Sequence, residues 1–149
     1  MRTVVVAVLG LTMCLPLTFR GAAAKDGQFA VESNLLAGVA KVDITPEDVD
    51  GMEVTGHRRI IHGVRDPLRA GVLVMSDGNT KAAIVTLDTI GAWDEMVKLA
   101  RARIERETKI PAMNIMVAAS HNHSGPNFDA NSKWGRGLID KLGAAAKQA

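Results

Sequence analysis

Between Leu68 and Ala119 the hydrophobic period of the sequence changes twice, and that change restricts what the chain can fold into. Leu68 to Met75 and Thr80 to Leu87 are β-rich runs that flank Ser76-Asp77-Gly78-Asn79, and an Asp-Gly pair between two such runs signals a β-hairpin. Trp93, Met96, Val97, Ala100 and Ile104 then recur at helical spacing, opposite a polar face of Arg101, Glu105 and Arg106. The helix gives way at Ile110-Pro111, and Met113 to Ala119 returns as a strand. A strand, a helix and a second strand in that order imply a right-handed crossover between parallel neighbours. The predicted class is α/β: a mixed sheet with a β-hairpin followed by a right-handed βαβ crossover. The two parallel strands end at Asp88 and His121, which places both on one rim of the sheet, where open α/β sheets bind ligands.

The flanking segments extend this plan. Leu35 to Thr45 reads as a strand closed by Asp43-Ile44-Thr45-Pro46, and the acidic stretch Glu47 to Glu53 reads as a loop. From Thr55 to Asp66 there is little periodicity but much Gly, His and Arg; connections of this length are often functional. Trp134, Leu138, Ile139 and Leu142 predict a last amphipathic helix running into Ala144-Ala145-Ala146, with no closing Gly or Pro. The expectation is therefore an incomplete domain, interrupted within an element. The 149 residues leave room for one domain with a modest core.

Residues 1–24 have the pattern of an export signal. Arg2 supplies the positive start, Val4 to Leu11 and Met13 to Leu17 the apolar stretch, and Ala22-Ala23-Ala24 a small-residue cleavage site. The apolar run is short for a membrane span, which needs about 20 residues. Cys14 is the one cysteine and lies inside this segment, so the processed chain would hold no disulfide; Met13 before it is bulky for lipoprotein attachment. Without Arg2 and Arg20 the chain carries 16 basic and 16 acidic residues. Such a balance gives no electrostatic reason to bind nucleic acid. Arg58-Arg59 and the group Arg101, Arg103, Arg106 are the basic clusters, and both read as solvated surface.

Chemistry concentrates in Ser120-His121-Asn122-His123-Ser124-Gly125-Pro126, directly after the apolar run Ile115 to Ala119. Residues two apart in an extended segment share a face, with Cα atoms about 6.5 Å apart, so His121 and His123 can converge on one point. Neutral imidazole suits zinc, which needs four ligands, or three plus water at a catalytic site. Taken alone, the pair reads as a hydrogen-bonded turn at least as readily as a ligand pair. Asp88 has three readings: orienting a ligating histidine, holding a second cation, or capping the turn into the following helix. His57 and His62 in the irregular connection read as surface or as substrate-side groups.

At this motif the sequence resembles the neutral/alkaline non-lysosomal ceramidase family, whose members carry His-Thr-His-Ser-Gly-Pro after a strand. Gly38-Val39-Ala40-Lys41-Val42-Asp43-Ile44-Thr45-Pro46 is similar to the family's opening Gly-x-Ala-x-x-Asp-Ile-Thr segment. Asp66 to Val74, followed by Ala83 to Asp88, is similar to its Leu-x-Ala-Arg-Ala region. These blocks run in the family's order over about residues 36 to 128. The resemblance implies a zinc-dependent amide hydrolase, with His121 as metal ligand and His123 as the catalytic proton-transfer or transition-state group. It also implies Zn2+ as cofactor, a small-molecule or lipid amide as substrate, peripheral membrane contact, and a secreted or periplasmic location. Residues 25–149 would then be the N-terminal portion of the hydrolase domain. Asn122, Asn127 and Thr55-Gly56-His57 depart from the family's usual Thr, Gly and Met-Gly-Tyr, all around the substrate side of the motif. The other ligands of the family lie beyond residue 149, so an inactive fragment, or a metal- or lipid-binding module, stands as the alternative. Oligomeric state is left open.

Overall fold

The computed structural model describes residues 33–149; the segment read as an export signal lies outside the described residues. Four strands form one sheet in the order β1 (Leu36–Asp43), β2 (Arg69–Ser76), β3 (Lys81–Leu87) and β4 (Ile115–Ala119). The first three pair antiparallel, and β3 pairs parallel with β4. Helix α1 (Asp94–Thr108) makes the crossover between the parallel strands, and α2 (Lys133–Gln148) follows the histidine motif. The expected hairpin and βαβ crossover are both present.

Local chemistry sets the element boundaries. In the β2–β3 hairpin the Asp77 carboxylate accepts the backbone N–H groups of Asn79 and Thr80 at 2.9 and 2.7 Å, which holds its carboxyl below the usual carboxylate range. Gly78 supplies the left-handed residue of that turn, at φ 94°. Asp94 and Glu95 place negative charge in the first turn of α1, and Lys109 closes the helix in the left-handed region. A single 3₁₀ turn, Ala112–Asn114, delays the start of β4 to Ile115, two residues later than the apolar pattern suggests. Ser132 caps α2 by accepting the N–H of Gly135 at 2.9 Å.

Both helices pack on one face of the sheet. Ala70, Val72, Ala83, Val85, Leu87 and Ile115 from the strands meet Met96, Ala100 and Ile104 of α1 and Leu138, Leu142 and Ala145 of α2. Trp134 ties α2 to the end of β1 by donating its indole N–H to the Ile44 carbonyl at 2.6 Å. The helices approach closely where Gly143 meets Arg103, since a Cβ at 143 would lie 2.7 Å from Arg103 Cγ. The other face of the sheet carries the cross-strand row Val39, Leu73, Ile84 and Met116. Val39 is 76% and Met116 54% exposed. This two-layer arrangement, open on one apolar face, is consistent with an incomplete domain.

Asp43, at the end of β1, accepts the Thr45 N–H at 2.8 Å and faces Arg69 at 3.3 Å. Hydrogen bonding from Thr45, helped by the Arg69 charge, holds its carboxyl below the ordinary range.

Two outcomes follow from this packing. Leu142→Ala, at a fully buried position, should lower unfolding stability by about 2–5 kcal/mol in urea titration, whereas Met116→Ala on the open face should cost less than about 0.5 kcal/mol. Because the folded-state pKa of Asp43 is depressed, its contribution is present above about pH 4 and is lost as pH falls through the folded value. The stability difference between the wild type and Asp43→Asn should therefore shrink as urea titrations are moved from pH 6 to below about pH 4.

Candidate functional site

The parallel ladder continues past the strand ends. Ser120 N–H donates to the Leu87 carbonyl at 2.9 Å and Asn122 N–H to the Thr89 carbonyl at 3.1 Å. Between these two bonds His121 adopts φ 63°, a left-handed conformation uncommon outside glycine. Its ring turns to the β3–α1 connection, where Nδ1 lies 2.7 Å from the Ile90 carbonyl oxygen. A carbonyl only accepts, so Nδ1 carries the proton and the lone pair of the neutral ring is on Nε2. That lone pair faces His123 Nε2 at 3.2 Å, which must then be the donor. The two rings meet edge to face with centroids 4.7 Å apart.

Asp88 reaches neither histidine. One of its carboxylate oxygens accepts the Arg69 N–H at 2.9 Å and the other the Ser120 hydroxyl at 3.2 Å. It thus fastens the ends of β2 and β4 to the end of β3. Helix α1 begins at Trp93 without a side-chain cap, so the capping reading of Asp88 is wrong as well. The histidine-orienting acceptor is instead the Ile90 backbone carbonyl, which no side-chain pattern could have signalled.

The motif has two sides. Ser120, Asn122 and Ser124 line a cleft of about 620 Å³ together with Thr45, Leu68 and Asp88. The histidine rings do not line that cleft. On their side lies a small hairpin within the connection that looked irregular in sequence: Glu53 bridges Ile60, and Val54 N–H donates to the Arg59 carbonyl at 2.8 Å. This hairpin is fastened to the motif by a Val54–Pro126 bridge and by Thr55 N–H to the Gly125 carbonyl at 2.9 Å. At its tip Gly56 sits at φ 75°, and a Cβ there would lie 4.0 Å from His123 Nδ1 and 3.6 Å from Ile90 Cδ1. The His57 ring stands 6.0 Å from the His123 ring. His62 is exposed and makes no hydrogen bond or ring contact with the other histidines. Thr55 is 7% exposed, and among the described residues its hydroxyl has no hydrogen-bond partner, an arrangement that costs about 1–3 kcal/mol when nothing fills it.

As a donor set the site fits zinc in kind and falls short in number. One ring nitrogen of His121 is anchored on a carbonyl, as in metal-ligating histidines, and the other, the lone-pair nitrogen, faces His123 Nε2. Among the described residues no group of three or more His, Cys, Asp or Glu side chains converges as a metal cage.

No protein-family model and no curated protein matches the sequence. Solved structures do match. One is a ceramidase complexed with C2, 22% identical with a TM-score of 0.64, covering 79% of this chain and 21% of that one. Another is the neutral ceramidase from Pseudomonas aeruginosa, 21% identical with a TM-score of 0.63, covering 80% of this chain and 22% of that one. The chain thus spans about a fifth of the length of the structures it matches. Over about four-fifths of its own length, it has a ceramidase-like fold.

Proposed function

We propose that residues 25–149 are the N-terminal portion of a zinc-dependent amide hydrolase of the neutral ceramidase type, exported by a removed signal over residues 1–24. The observation that carries this reading is the pair formed by His121 and His123: Nδ1 of His121 anchored on the Ile90 carbonyl, and its Nε2 3.2 Å from Nε2 of His123. The ceramidase-like fold supports the same reading. The reaction adds water across an amide and releases a carboxylic acid and an amine; the substrate class is a lipid or small-molecule N-acyl amide. Acting after export, the enzyme would meet such lipids through peripheral contact with a membrane. Among the described residues no helix is long and apolar enough to cross one.

His121 Nε2 would hold the zinc, which supplies Lewis-acid polarisation of the scissile carbonyl. With Nδ1 fixed as a donor, His121 can present only Nε2, and the ring cannot turn without losing the Ile90 bond. His123 carries its mobile proton on Nε2 beside that point and can donate it to the carbonyl oxygen or to the departing nitrogen. Two imidazoles are fewer than the three protein ligands of a catalytic zinc site. Hydrolysis is therefore assigned to a polypeptide that supplies the further ligands in addition to His121.

The test uses a polypeptide extended to the length of the matched ceramidases. His121→Ala should reduce zinc per protein from one to background and abolish amide hydrolysis. His123→Ala should keep the zinc and lose about 10²- to 10⁴-fold in turnover, the range of a general acid. Stoichiometric zinc and full hydrolysis in His121→Ala would overturn the proposal.

A further inference from the structure

Beyond the histidine pair, the structure holds a short basic arm against it. The hairpin from Glu53 to Ile60 is fastened at Val54 and Thr55 to Pro126 and Gly125, so its tip, Gly56-His57-Arg58, is fixed beside His123. Arg58 is one Cα step, about 3.8 Å, beyond His57, whose ring is 6.0 Å from that of His123. Arg58 and Arg59 are both exposed, and among the described residues neither guanidinium has an ion pair or hydrogen bond. Other arginines of the fold do find carboxylates: Arg65 meets Asp66 at 2.8 Å, Arg69 meets Asp43 at 3.3 Å, and Arg103 meets Asp140 at 3.0 Å. Behind the tip, the enclosed Thr55 hydroxyl is a third polar group without a partner among the described residues.

We propose that this hairpin is the substrate-selecting arm of the site, and that it recognises a carboxylate carried on the amine side of the amide, as in an N-acyl amino acid. The inference rests on the amide-hydrolase reading for the position of the scissile bond. In an N-acyl amino acid a single carbon separates the carboxylate from the amide nitrogen. A carboxylate that close to the reacting amide needs its cation near the histidines, and Arg58 and Arg59 directly follow His57, whose ring is 6.0 Å from that of His123. The guanidinium fork matches the two carboxylate oxygens in a bidentate pair, which a hydroxyl on a neutral amide cannot reproduce. Only one acid, Glu53, belongs to the hairpin, and it sits at the base in the bridge to Ile60.

The experiment measures binding rather than turnover, on the 149-residue chain, by NMR of the four histidine rings. N-hexanoylglycine is titrated beside N-hexanoylethanolamine, a neutral amide of the same acyl length, and sodium hexanoate, an anion without an amide. The glycine conjugate should shift the His57 and His123 ring signals saturably and bind about tenfold more tightly than either control, a difference of about 1.4 kcal/mol. The double variant Arg58→Ala/Arg59→Ala should bind the glycine conjugate no more tightly than the ethanolamide, with the indole N–H signal of buried Trp134, bonded to the Ile44 carbonyl, unmoved as a check that the fold is intact. Equal binding of all three probes, or a preference that survives in the double variant, would sink the proposal. No zinc is needed, so loss of this preference and loss of zinc by His121→Ala are separate results. The arm can fail while the hydrolase reading stands, and the reverse.

Discussion

Two backbone hydrogen bonds beyond the end of the parallel ladder, Ser120 to Leu87 and Asn122 to Thr89, set the geometry of everything around the histidines. They keep the chain running beside the β3–α1 connection after β4 has ended, and they leave His121 between them with φ 63°. A non-glycine residue in that region costs on the order of 1–3 kcal/mol. The two backbone bonds, together with the bond from His121 Nδ1 to the Ile90 carbonyl, contribute about 1 kcal/mol each and so offset the strain. The left-handed turn redirects the imidazole toward the loop that precedes α1. An ordinary extended residue would continue the strand alternation and lose that acceptor.

The same turn divides the motif between two surroundings. Ser120, Asn122 and Ser124 face the cleft shared with Asp88 and Thr45, while the imidazoles face Ile90 and the tip of the 53–60 hairpin. Asp88 serves the first side by joining the ends of three strands, and Gly125 and Pro126 serve the second by pairing with Thr55 and Val54. A seven-residue stretch is therefore braced from both directions. Its bracing uses backbone groups for the most part, which leaves both histidine rings free for chemistry beyond a single bond each way.

Much of the scaffold could be read from the chain, because it rests on periodicity. The alternation in Leu68 to Leu87, the helical spacing of Met96, Ala100 and Ile104, and the Asp-Gly turn are local signals, and each element formed within one or two residues of its expected place. His121 and His123 do converge, but not by the extended i, i+2 alternation: β4 ends at Ala119 and His121 is left-handed, so the turn brings the rings together. What escaped was non-local. The Ile90 carbonyl carries no side-chain signature, and Asp88 pointed to a cap or a histidine partner when its hydrogen bonds go to Arg69 and Ser120. The 53–60 hairpin escaped because its pairing is one isolated bridge, Glu53 to Ile60, and the Val54 to Arg59 backbone bond, with Thr55-Gly56-His57-Arg58 at the tip in place of an alternating strand. Gly56 held the one usable hint, since a glycine flanked by Thr and His in an otherwise unpatterned stretch marks a turn at positive φ, here 75°.

Solvent decides how strongly the groups around the histidines can act. His57, His121, His123, Arg58 and Arg59 are all exposed in this chain. Two unit charges 4 Å apart interact by about 1 kcal/mol in bulk water and by about 4 kcal/mol at an effective dielectric of 20. Excluding water by further protein over the histidine side would raise the Coulomb attraction of a hairpin guanidinium for a carboxylate, against several kcal/mol of lost hydration per ion, so the net grip depends on a bidentate pairing that satisfies both groups. The same covering makes the proton on His123 Nε2 more costly to leave without a partner, which favours its transfer to a substrate atom over release to solvent. The backbone clamp matters for the same reason: without the bonds to Gly125 and Pro126, covering the site would bury the arginines at no fixed distance from the amide.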